Sequence, residues 1–136
     1  MAQTLKLEIV TPAGTVYSED VEMVTLPGVA GQMGVYPRHV PLITYMVPGE
    51  MIVRRDGRNE FIATGEGLVE ITGRRVAILT DLAIPADRID EAKAEEARQR
   101  AETRLQERLS DEDIASVNAS LARALTQLRV KRRRRA

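Results

Sequence analysis

Met51-Ile52-Val53-Arg54-Arg55-Asp56-Gly57-Arg58-Asn59-Glu60-Phe61-Ile62-Ala63-Thr64 decides how the first part of the chain folds. Two apolar-rich runs flank Asp56-Gly57. A tight type I′ turn between strands needs φ > 0 at both central positions, and Asp-Gly supplies it. The segment therefore predicts a β-hairpin. Downstream, Leu68-Val69-Glu70-Ile71-Thr72, then Gly73, then Val76-Ala77-Ile78-Leu79 predict a second one. Upstream, Val21-Glu22-Met23-Val24-Thr25-Leu26 reads as a strand. So does Leu5 to Ile9, with Leu5, Leu7 and Ile9 on one face and Lys6 and Glu8 on the other. Short strands about ten residues apart predict an antiparallel β-sandwich or flattened barrel, not a parallel α/β sheet.

The punctuation then changes. All nine glycines lie between Gly14 and Gly73, and all six prolines between Pro12 and Pro85. From Ala86 to Ala136 there is neither, which predicts helix. The chain thus divides into 1–86, a β body, and 87–136, a two-helix antiparallel hairpin; the fold class is α+β. Asp87 after Pro85 is a candidate cap for the first helix. Its apolar positions are Ile89, Ala92, Ala97, Ala101, Leu105 and Leu109. Ser110 with Asp113 resembles a capping box that opens the second helix. There Ile114, Val117, Leu121, Ala124 or Leu125, and Leu128 recur at helical spacing. The first stripe is mostly alanine, which buries little area, so a weakly held hairpin is expected. Each helix is expected to run roughly 20 residues, about 30 Å.

Composition excludes several classes of function. No cysteine means no disulfide, zinc-thiolate site or thiol nucleophile. Lys+Arg and Asp+Glu are 20 each, so net charge alone points to no acidic or basic partner. No apolar run is long enough to span a bilayer, and the first residues lack the apolar stretch of a signal peptide. Only Tyr17, Tyr36, Tyr45 and Phe61 are aromatic, too few for base-stacking surfaces.

Four features carry possible chemistry. Gly28, Gly31 and Gly34 suggest a phosphate loop, but no Gly-Lys-Ser/Thr and no helix start follow; Val35-Tyr36-Pro37 is strand-like. A turn that needs positive φ and close backbone approach fits better. His39, the only histidine, suggests a general base, yet no Ser or Asp constellation surrounds it in sequence; a loop or interface histidine fits better. The carboxylates of the first helix are interleaved with Lys93, Arg98, Arg100, Arg104 and Arg108, as on a solvated helix with i,i+4 pairs. From Ile114 onward there are seven basic residues and no acidic one, ending in Arg129-Val130-Lys131-Arg132-Arg133-Arg134-Arg135. That tail leaves a small nucleic-acid-binding module as the alternative function.

The stretch from Leu26 to Leu42, Leu-Pro-Gly-Val-Ala-Gly-Gln-Met-Gly-Val-Tyr-Pro-Arg-His-Val-Pro-Leu, resembles the signature of the epsilon subunits of bacterial F-type ATP synthases. The resemblance continues through Gly65-Glu66-Gly67-Leu68, Ile89-Asp90-Glu91-Ala92-Lys93-Ala94 and Leu121 to Val130. It implies a non-catalytic rotor subunit of a proton-translocating ATP synthase, peripheral on the cytoplasmic face of the bacterial membrane. By the same resemblance, the subunit would touch the membrane only through the complex and would bind no nucleic acid. Gly28, Gly31, Gln32, Gly34, Arg38, His39 and Pro41 would face the gamma subunit or the c ring. The hairpin would restrain ATP hydrolysis by extending into the alpha and beta subunits, with Arg123, Arg129, Lys131 and Arg132 as contacts. Gln32 stands where the family commonly has glutamate, which weakens a charged contact to the c ring. Nucleotide-sensing members carry arginine where Lys93 stands. Lysine lacks the planar fork that binds phosphate bidentately, so weak or absent ATP binding is expected, with Asp90, Lys93 and Arg100 as candidate ligands. No cofactor or metal is implied.

Overall fold

The computed structural model describes residues 3–133. Ten strands precede two helices. The strands are β1 Leu5–Thr11, β2 Gly14–Val21, β3 Met23–Gly28, β4 Gly31–Val35, β5 Leu42–Met46, β6 Gly49–Arg55, β7 Arg58–Thr64, β8 Gly67–Ile71, β9 Arg75–Thr80 and β10 Ala83–Pro85. A 3-10 turn, Ala86–Arg88, leads to the helices α1 Glu91–Leu105 and α2 Asp111–Arg133.

The strands form one sheet in the order β10-β7-β6-β3-β5-β8-β9-β1-β2, with β4 paired to β3. It wraps into a flattened barrel around a single aliphatic cluster. Alternation explains the wrap: Leu5, Leu7 and Ile9 of β1 point inward, as do Met51 and Val53 of β6 and Val76 and Ile78 of β9. The Asp56-Gly57 turn forms as its sequence predicts. Both residues have positive φ, 52° and 74°, and β6 pairs with β7 along its whole length. The second hairpin, β8 with β9, also forms.

One pair departs from the antiparallel expectation. β1 lies parallel to β9, Lys6 opposite Arg75 through Val10 opposite Leu79. The two strands are far apart in sequence, so no local turn announces their pairing. The expected strand Val21 to Leu26 is also split: Val21 ends β2 and Met23 begins β3.

Where the sheet folds over on itself, β2 faces β6 without ladder bonds. Arg55 crosses the gap, 3.3 Å from Glu19 and 3.0 Å from Glu60. Beneath it the Tyr17 hydroxyl is buried with no hydrogen-bond partner among the described residues. Burial, and next the Glu60 carboxylate, push the phenol up to about 12. Folding thus holds the proton on Tyr17 at a pH where the unfolded chain releases it, so stability falls as pH rises above 10. Tyr17→Phe removes an unsatisfied buried hydroxyl while keeping the ring. It should leave stability at pH 7 unchanged or raised by about 1 kcal/mol. The gain over the parent should widen between pH 10 and 12, read by denaturant melts across that range.

The helices begin later than Asp87 suggested. Asp90 is the cap, its Oδ1 accepting from the Lys93 backbone N–H at 3.1 Å. Asp87 sits in the 3-10 turn because Ile89 must stay extended, at φ −72° and ψ 125°, to bury its side chain against Ala63 and Val130. α1 ends at Leu105, so Leu109 lies in the connection. Ser110 Oγ accepts from the Asp113 N–H at 3.2 Å and opens α2 as expected. α1 does bury alanines, but not all those expected: Ala94 and Ala101 are buried, Ala97 is half-buried and Ala92 is exposed. On α2 the buried residues are Val117, Ala124, Thr126, Leu128 and Val130, while Leu125 and Ile114 are exposed.

Candidate functional site

The glycine stretch is a β-hairpin, not a phosphate loop. Gly28 pairs with Gly31 across a turn at Val29-Ala30. Gly31 has φ 120°, and a Cβ on Gly28 would stand 2.8 Å from the Gly31 carbonyl oxygen. Positive φ and close approach thus account for these two glycines. Along β4, Met33 packs on the core while Gln32 and Gly34 face out. The pairing puts the turn at one end of β4 and the loop of Arg38, His39 and Pro41 beyond the other. The seven residues therefore form a strip along one hairpin and its following loop, not a single pocket.

In that loop Arg38 has φ 69° and donates its backbone N–H to Gly73 at 2.8 Å. His39 Nδ1 lies 2.6 Å from the Val40 carbonyl, which only accepts, so Nδ1 carries the proton. No ion pair joins His39 to a carboxylate among the described residues. Pro41 is exposed.

A larger feature adjoins the hairpin tip. Tyr45 of β5, Leu68 of β8, Leu79 of β9 and Val10 of β1 lie opposite one another in register across four strands. Directly opposite residues share a face. Here it is the outer face: Tyr45 is 67% exposed, Leu79 53% and Leu68 36%. Ile43, two residues before Tyr45, is also exposed. Val29 at the tip lines a shallow hollow with Tyr45, Val47 and Leu68. An apolar band thus runs from the glycine turn across the sheet. Contiguous exposed apolar surface marks an interaction site. The sequence carried a faint signal, since Leu42-Ile43-Thr44-Tyr45-Met46 is apolar at both parities.

The nucleotide candidates do not share a pocket: Arg100 lines hollows with Glu96 and Gln99 and, between the helices, with Ser116 and Ser120, and neither includes Asp90 or Lys93. The Asp90 carboxylate is occupied as a helix cap, and Lys93 and Arg100 are exposed two turns apart on α1, about 10 Å along its axis. Arg98 is engaged by Glu95 and Glu102. Its hydrogen bond holds the Glu95 carboxyl below the usual range. Among the described residues no group of three or more His, Asp or Glu side chains is placed to hold a metal. No helix there is long and apolar enough to cross a membrane.

The α2 cations are mostly paired within the chain. Arg123 Nη1 meets Asp81 at 2.9 Å. Lys131 Nζ donates to the Ala86 carbonyl at 3.2 Å. Arg132 meets Glu91 and Glu95 at 3.0 and 3.2 Å. Arg129 is exposed; Arg134 and Arg135 lie outside the described residues.

A β barrel with an outer apolar band, followed by a capped helical hairpin, defines a class of protein built to bind a partner. Two family descriptions match in succession: ATP synthase, Delta/Epsilon chain, beta-sandwich domain over residues 4–86, and ATP synthase, Delta/Epsilon chain, long alpha-helix domain over residues 87–132. The ATP synthase epsilon chain of Herpetosiphon aurantiacus is 44% identical over 131 residues, 96% of each chain. The chain belongs to the ATP synthase delta/epsilon family. Its fold is shared with a chain of the Euglena gracilis mitochondrial ATP synthase OSCP/F1/c-ring assembly, at TM-score 0.72 and 21% identity, covering 88% of this chain and 76% of that one. It is shared too with a chain of the Tetrahymena thermophila mitochondrial ATP synthase central stalk and c ring, at TM-score 0.65 and 10% identity, covering 95% and 97%.

Proposed function

We propose that this chain is a non-catalytic rotor subunit of a proton-translocating F-type ATP synthase. Residues 1–86 grip the gamma subunit, and 87–136 form a regulatory hairpin. The exposed apolar band through Val29, Tyr45, Leu68 and Leu79 carries the reading. It offers a shaft-like partner a largely apolar surface. The strip Gly28, Gly31, Gln32, Gly34, Arg38, His39 and Pro41 continues from the band and meets gamma or the c ring.

In this reading the chain turns with the rotor at the cytoplasmic face of the membrane and reaches the membrane only through the complex. The hairpin restrains ATP hydrolysis when it extends, bringing Arg123, Arg129, Lys131 and Arg132 against the alpha and beta subunits. Bound ATP is no part of the proposal, since Lys93 gives no bidentate fork. An affinity-tagged full-length chain expressed in its native host should recover gamma, alpha, beta and c from solubilised membranes. Recovery of the tagged chain without gamma would overturn the reading.

A further inference from the structure

We propose that Asp56 is a site of spontaneous β-aspartyl (isoaspartate) formation, and that the Glu22 carboxylate, by accepting the Gly57 N–H, holds this modification back in the folded chain. Asp56 and Gly57 are both exposed at the tip of the β6–β7 hairpin. Gly57 has no side chain to shield its nitrogen. A Cβ built on it would meet nothing within 4 Å among the described residues, so water reaches this peptide.

Glu22 comes to the turn from 35 residues earlier in the chain. It is the residue at which the expected strand from Val21 to Leu26 breaks. Its backbone N–H donates to the Arg54 carbonyl at 2.8 Å, which bends the chain over the end of β6. The carboxylate then divides between two partners. Oε1 accepts the Gly57 N–H at 3.1 Å, and Oε2 lies 3.7 Å from Arg54 Nε. The Glu22 side chain is only 28% exposed, so water screens this bond incompletely.

The reaction needs water and no other co-reactant. The Gly57 nitrogen attacks Cγ of the neutral Asp56 carboxyl. An N–Cγ bond forms, and the carboxyl hydroxyl leaves as water with the proton from nitrogen. The product is a five-membered imide. Water then breaks one of its two carbonyl–nitrogen bonds. Opening at Cγ restores aspartate. Opening at the main-chain carbonyl carbon leaves the chain running through Cβ and Cγ, with the former carbonyl as a free carboxylate. Glu22 opposes the first step. The nitrogen must shed its proton to attack, and a carboxylate 3.1 Å away disfavours negative charge there.

Isoaspartate would put one extra carbon into a turn whose two positive φ angles, 52° and 74°, close β6 onto β7 in full register. Arg55 opposite Arg58, the pair beside the turn, would be lost first. Arg55 also reaches Glu19 and Glu60, so the damage would pass to the seam with β2. The protection is intrinsic to the chain and independent of any partner.

The full-length chain is aged in water enriched in heavy oxygen, at neutral pH and physiological temperature. Each imide opening puts one solvent oxygen on residue 56, whichever bond breaks. Mass spectrometry of the peptide carrying Asp56 therefore reads the rate of imide formation, and an isoaspartate methyltransferase with a labelled methyl donor counts the product. Glu22→Ala should raise the rate about tenfold, and Glu22→Gln, which keeps an acceptor without the charge, about three- to fivefold. In denaturant the parent and both variants should label alike, and faster than the folded parent. A thermal melt of each variant separates loss of the hydrogen bond from unfolding. If Glu22→Ala melts lower than the parent, Glu22→Gln decides, at a temperature where it and the parent are both folded. Parental labelling in the folded variants would overturn the proposal. So would a folded parent that labels as fast as the denatured one.

Discussion

A chain carrying Tyr45→Asp and Leu68→Asp should fold normally and fail to join a gamma-containing complex. Both side chains are exposed in the isolated protein, so the changes should cost its own stability only about 1 kcal/mol each, through lost cross-strand pairing and the poor strand preference of aspartate. Against a partner the balance is different. Covering a large apolar side chain contributes about 1.5–3 kcal/mol, and each aspartate adds the cost of desolvating a charge. Two such losses in one band weaken association by at least about a hundredfold. Co-purification would read the loss, and a thermal melt would confirm the fold. Assembly at parental affinity would show that the band is not the contact. Arg38→Ala, outside the band, should have a far smaller effect.

Ending the chain after Ala86 should leave a body that still melts cooperatively and still assembles, while ATP hydrolysis by the complex rises. The aliphatic core runs from Leu5 to Ile78, and α1 and α2 contribute none of it. Truncation uncovers Ala63 and Ile84, and it strips Glu50 and Asp81 of their arginines. Those are surface losses, worth about 1–3 kcal/mol together. The barrel ladder is untouched. A truncated body that failed to assemble, or a complex whose hydrolysis stayed at the parental rate, would contradict a regulatory hairpin docked on a self-sufficient barrel.

The legible parts of the fold were those that local chemistry specifies. Asp56-Gly57 could be read because only a few residues tolerate positive φ at both turn positions. Ser110 could be read because its hydroxyl finds the Asp113 N–H three residues on. β2 was not legible: most of Gly14–Val21 is exposed, and its strand form comes from pairing with β1. Asp87 and Asp90 satisfy the same capping rule. Burial of Ile89 on Ala63, a contact between distant segments, decides between them. Leu125 against Ala124 was settled similarly, by which side of α2 meets its neighbours. The candidate site divided along the same line. The glycine turn announced its own geometry, whereas the band of Tyr45, Leu68 and Leu79 exists only once four strands align in register.

The parallel pairing of β1 with β9 has a further consequence, for synthesis of the chain. The partners are about seventy residues apart, so the barrel is a high-contact-order structure whose closure is slow. On the ribosome, β1 emerges first and can pair with β2 at once. Its other edge must wait until β9 has cleared the exit tunnel. During that interval the nascent chain presents an open strand edge beside the apolar faces of Leu5, Leu7 and Ile9. A holding chaperone would find its target there, and a slowdown of translation before Arg75 would prolong the exposure.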